Sequence, residues 1–244
     1  MTSAEADNAL YVAFEGLLEM APAVVGILHN EQFEQFVWDP ILMPAAAEKN
    51  IPFSSFNEIA SQLENRCSQQ DRRLVALCNR NTSPALQKAG VNIEERTCYA
   101  ESIAAQLTGH SSRARSNNCL QEFLSLVSLG PRPHLSQQNS PKRLRAVRSM
   151  IRRKDSYEKL TRTVKGQWSK LLQHNENECR SLHDFVVAAV SQSARETNSR
   201  WLINALSIRA ICISYTLPIP YIIEVWSLSH TTCVLCRFCI SRGM

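Results

Sequence analysis

Histidines, cysteines and clustered cations are the side chains of this 244-residue chain whose types and spacing could do chemistry. Near the C-terminus His230, Cys233, Cys236 and Cys239 carry metal-ligating atoms at three-residue steps. Structural zinc sites bring ligand pairs together from separated knuckles, and this crowded run would need an unusual wrap. It reads as thiols in an apolar tail, with palmitoylation open to them only at a membrane. Six histidines stand at 29, 110, 134, 174, 183 and 230, and none shares a motif with a Ser or Cys nucleophile. His183-Asp184, close to Cys179, reads as polarity at a helix start. The chain has no dinucleotide glycine fingerprint, phosphate-binding glycine loop or His-Glu-x-x-His pair. No catalytic residue, metal or cofactor is therefore expected, and the chain reads as a non-enzyme.

What remains is charge that could hold an anion. Between Lys142 and Lys165 there are ten Lys/Arg against two acids, whereas residues 1 to 66 carry ten acids with only Lys49 and Arg66 as bases. A net charge of +5 thus hides a segregation into an acidic N-terminal quarter and a basic helix. Such a block can face an acidic surface, pair with the acidic quarter, or simply be solvated. Nucleic acid is the rival anion, but few aromatics are interleaved with the cations and the acidic quarter would repel it.

The elements that must position these charges read as helices. Glycines are scarce, at seven, and the prolines fall between periodic segments, which favours helices over the many tight turns of a β fold. Residues 3 to 50 read as short helices with Ala4, Leu10, Phe14, Leu17 and Leu18 on one face, broken at Pro22, Pro40 and Pro44. The Ser55/Glu58 capping box opens a long helix to about Arg80, and Asn79 to Pro84 interrupts it. Helix resumes over Ala85 to Leu107 and Cys119 to Leu129, and Gly130 to Ser140 is a linker. Met150, Tyr157, Val164 and Leu171 then recur every seven residues along one long basic helix, and Glu178 to Ala205 repeats the apolar pattern. After Leu206 the charges nearly vanish. Ala210 to Leu228 reaches the lower length of a membrane span, but Glu224, Pro218 and Pro220 count against one. The change of composition resembles an alternative C-terminus, and with it the fold class expected is all-α: an elongated antiparallel bundle with an irregular apolar tail.

The segment RAVRSMIRRKDSYEKLTRTVKGQW (Arg145 to Trp168), followed by SLHDFVVAAVSQSARETNSRWL (Ser181 to Leu202), resembles the last two helices of the BAR domain of sorting nexins. FNEIASQLENRCSQQDRRLVAL (Phe56 to Leu77) is similar in position to the first. The resemblance covers about residues 53 to 202. It implies a dimer of three-helix units whose basic face meets anionic lipid, with Lys142, Arg143, Arg145, Arg148, Arg152, Arg153 and Lys154 at the membrane. The organisation expected is then an acidic short-helix region 1–52, a BAR-like bundle 53–206 and a Cys-rich tail 207–244. The function expected is a scaffold on an anionic, endosomal membrane in vesicle trafficking, in a reducing cytoplasm given nine scattered cysteines. A coiled-coil adaptor and a nucleic-acid-binding helical module are the alternatives, nucleic acid being the less expected partner.

Overall fold

A computed structural model describes residues 1–16, 22–108, 119–130, 132 and 140–214, the side chains of 81, 119 and 196–214 excepted. Of the expected tail 207–244, residues 215–244, with the Cys/His run and most of the apolar window, lie outside them. Among the described residues no helix is long and apolar enough to cross a membrane. Met1–Ser199 forms one compact unit and Arg200–Met244 a second.

The all-α, BAR-like expectation is wrong. The first unit is built on a mixed five-stranded sheet whose strands come from both sides of residue 52. After a short helix α1 (Ser3–Asp7) come β1 (Leu10–Glu15), β2 (Val24–His29) and β3 (Gln32–Val37), then α2 (Met43–Ala47), α3 (Phe56–Gln69), β4 (Leu74–Ala76), α4 (Asn79–Lys88), β5 (Thr97–Tyr99), α5 (Ala100–Thr108), α6 (Cys119–Leu126), α7 (Ser140–Lys154) and α8 (Arg162–Ser214). The sheet order is β3-β2-β1-β4-β5. β1, β2 and β3 pair antiparallel, and β4 and β5 run parallel to β1.

The strands escape a helical reading for a physical reason. LYVAFE and VVGILH are covered on both faces, so they appear as unbroken apolar runs rather than alternating ones. Taken alone, Leu10 and Phe14 are four apart and mimic a helix face. The β2–β3 hairpin closes through Asn30 and Glu31, both left-handed at φ 47° and 65°, the conformation that a two-residue hairpin turn needs.

Period two along β1 divides its side chains. Leu10 and Val12 join Val25, Ile27, Leu74 and Ala76 in a core against α3 (Phe56, Ile59, Leu63) and Leu86 of α4. Tyr11 and Ala13 face the other way, with Leu28 and Val75, into a core with α5, Phe123 and Leu124 of α6, and Leu182, Phe185 and Val186 of α8. A third cluster joins Val24, Val37, Leu42 and Ala45 to Leu144, Val147 and Ile151 of α7 and to Val164, Trp168 and Leu171 of α8.

The early helices are therefore shorter than expected, and the last is longer, since α8 runs unbroken from Arg162 to Ser214 across the expected gap between Gln173 and Glu178. The Ser55/Glu58 capping box forms as read, but α3 stops at Gln69, before Asp71 turns left-handed at φ 47°. Asn79 to Pro84, expected as a break, opens α4, which ends where Gly90 (φ 76°) supplies the left-handed residue that follows many helices. Ala85 to Leu107 is divided by β5. The basic stretch is two helices, because Asp155 (φ 55°) ends α7. Its seven-residue seam is real in burial but serves this chain's own core, where Tyr157, Val164 and Leu171 are buried beside the sheet. No facing helix of a second copy is needed to explain that burial.

α8 lies close on the sheet because β2 offers Gly26. A Cβ there would stand 2.4 Å from Asn175 Oδ1 and 3.0 Å from Phe33 Cε2. Asn175, fully buried, donates from Nδ2 to the Ala13 carbonyl at 2.9 Å and accepts from Gln35 Nε2 at 2.8 Å. One amide thus fixes α8 on β1 and β3 together.

Candidate functional site

Packing of α7 against the first turns of α8 leaves a groove of about 520 Å³. Lys142 and Arg143 enter it from α7, and Arg162, Thr163, Gln167 and Lys170 from α8. Both helices are held from below: Leu144, Val147 and Ile151 bury one face of α7, while Val164, Trp168 and Leu171 bury one face of α8. Trp168 Nε1 also donates to the Ala45 carbonyl at 3.1 Å. The cations are what the opposite faces leave in solvent. Gly166 is exposed on the groove wall.

Arg143 Nη1 and Gln167 Oε1 are buried and, among the described residues, have no hydrogen-bond partner.

The seven cations expected at a membrane do not form one face. Lys142 and Arg143 line the groove. Arg145, Arg152, Arg153 and Lys154 are exposed on α7 outside it. Arg148 is a correction: it turns inward, and its Nε lies 2.6 Å from Asp39 Oδ2 with the side chains 12% and 3% exposed. The acidic quarter therefore does pair with the basic helix, at one buried point. Arg162 and Lys170 complete the groove from α8 and were not among the cations expected at a membrane.

A second constellation was not legible. β1 ends on Glu15, which by period two follows Tyr11 and Ala13 toward α8, and α8 presents His174 and Glu178 one turn apart. Glu15 Oε1 is 3.0 Å from His174 Nε2, and Nε2 is 3.6 Å from Glu178 Oε2. Ser140, the first residue of α7, donates its hydroxyl to Glu15 Oε2. All four side chains are buried. Burial pushes the Glu178 carboxyl up to about 7, the negative charge of Glu15 adds to this, and His174 opposes it. Lys170 and His174 are four residues apart on α8, so the cluster sits about 6 Å along the helix axis from the groove.

His183 and Asp184 do not mark a helix start. They lie within α8, where Asp184 binds Arg132 and its carboxyl is held below the usual range by His183 and then Arg132. Nearby Cys179 is buried, and its thiol is pushed well up by burial, the opposite of a nucleophile's requirement. Neither a family model nor a curated protein or solved structure matches the chain.

Proposed function

We propose that the chain is a nucleic-acid-binding protein that takes a single strand into the α7–α8 groove through its phosphates. The observation that carries this reading is the groove itself: four cations from two helices, Lys142, Arg143, Arg162 and Lys170, line one concavity. Phosphate oxygens suit these four cations. A volume of about 520 Å³ accommodates a drug-sized ligand, which corresponds to one or two nucleotides and not to a duplex. The groove residues include no aromatic platform, so affinity rests on charge and tolerates sequence.

Fluorescence anisotropy with labelled single-stranded RNA and DNA tests it. With up to four phosphates neutralised, log K should fall with log salt at a slope of about −3, since single strands give roughly −0.7 per contact. Lys142→Glu with Lys170→Glu should weaken binding more than tenfold, while Arg152→Glu with Arg153→Glu outside the groove should matter less. The competing outcome is peripheral attachment to an anionic, endosomal membrane through exposed Arg145, Arg152, Arg153 and Lys154. Phosphatidylserine vesicles that bind the chain, with oligonucleotides that do not, would overturn the nucleic-acid reading.

A further inference from the structure

Glu15, His174 and Glu178 come together where the C-terminal end of β1 meets α8, and their three ligand atoms all lie within 4.8 Å of one another. A tetrahedral shell of nitrogen and oxygen ligands at about 2.0–2.1 Å has ligand-to-ligand edges of about 3.3–3.4 Å. The separations of 3.0 Å and 3.6 Å on either side of His174 Nε2 straddle that value. Glu15 is 6% exposed, and its Oε1 is in contact with the His174 imidazole. Its other oxygen receives the Ser140 hydroxyl. A carboxylate with one oxygen oriented by a hydroxyl and the other turned toward an imidazole is arranged as metal ligands are, with the outer hydrogen bond fixing the inner contact.

We propose that Glu15, His174 and Glu178 bind one divalent transition-metal ion of the zinc class, which fastens β1 to α8. Two carboxylates and one imidazole match the charge and donor preference of such an ion, whereas calcium and magnesium favour all-oxygen shells. The ligands come from parts of the chain roughly 160 residues apart in sequence, so the ion closes the fold like a long-range crosslink. The ligating side chains are nine-tenths or more buried except for the 11% exposure of Glu178, so the ion is a clamp out of reach of a polymeric substrate. The site is independent of the groove and stands whether or not nucleic acid binds there.

The test uses the full chain, stripped with a chelator and then equilibrated with Zn²⁺. Elemental analysis should find one zinc per chain, and the melting temperature should rise by roughly 5 °C at zinc well above its Kd. Glu178→Gln and His174→Gln, both nearly isosteric, should each weaken zinc binding more than tenfold and remove most of the melting shift. A variant with Cys233, Cys236 and Cys239 changed to Ser should keep both. Wild-type chain that is folded, binds no stoichiometric zinc and melts unchanged overturns the proposal, whatever the variants do. Zinc retained by His174→Gln but lost from the cysteine variant overturns it equally, by placing the ion in the tail.

Discussion

Arg148 and Asp39 form a buried ion pair that ties α7 to the turn Pro40–Leu42, with Nε and Oδ2 2.6 Å apart. Asp39 also accepts the Ile41 amide at 3.1 Å, so its carboxylate is a cap for that turn and a partner for Arg148 at once. A buried pair contributes little net stability compared with an apolar replacement, but removing one partner strands the other charge.

Arg148→Ala should therefore cost about 3–5 kcal/mol in urea denaturation, far more than the same change at exposed Arg145. Arg148→Met combined with Asp39→Asn should recover much of the loss, because neither charge is then left alone. A cost at Arg148 no larger than at Arg145 would show that the pair is not buried in solution.

Val164 and Trp168 carry the apolar seam of α8 into the core beside α2 and α7. Val164→Asp should destabilise by several kcal/mol through an unpaired buried charge, and Trp168→Ala by about 3–5 kcal/mol through the cavity and the lost bond to Ala45. Both should act in a monomeric chain. A destabilisation that depends on protein concentration would mean that the seam is covered by a second copy instead.

Gly26→Ala places a methyl group where Asn175 Oδ1 stands. Since Asn175 holds β1 and receives Gln35, it cannot swing away without losing both bonds, and a penalty of about 1–3 kcal/mol is expected. Gly26→Ala paired with Asn175→Ala should show strong coupling in a double-mutant cycle. Additive costs would place the clash elsewhere.

Glu178 makes metal-free stability depend on pH. Its folded pKa of about 7 lies above the ordinary value of 4.5, so between these limits the folded state keeps a proton that the unfolded state has released. Stability should fall as pH rises from about 4.5 to 7, by a few kcal/mol in all, and change little from this group above that. Denaturation series with chelator at pH 5 and pH 8 measure the loss, and Glu178→Gln should remove most of it. A wild-type chain more stable at pH 8 than at pH 5 under these conditions would contradict the assignment.

Sequence reading captured local signals that are complete within a few residues. The Ser55/Glu58 box, the start of α7 at Ser140 and the burial of Tyr157, Val164 and Leu171 all followed from spacing. It failed where the deciding partner is remote. β1 and β2 lack alternation because helices cover both faces, and the three-residue strands β4 and β5 are too short for any period to show. Arg148 looks like its neighbours until Asp39, more than a hundred residues earlier, is set beside it. Glu15 ends an apolar run with nothing in its vicinity to distinguish it, and His174 and Glu178 are an ordinary i, i+4 pair until the sheet supplies their third member.

Asn175 reaches Ala13 across 162 residues of chain, which has a consequence for biosynthesis. While the ribosome is still adding α8, β1 and β2 have already emerged with Tyr11, Ala13 and Leu28 lacking the Leu182, Phe185 and Val186 that will cover them. Contacts so distant in sequence form slowly, and uncovered strands are prone to pair with other chains. The nascent protein must be kept from aggregating until nearly all of its first 190 residues have been made. A message ending before Phe185 would release a sheet with one bare apolar face, a substrate for chaperones and proteases.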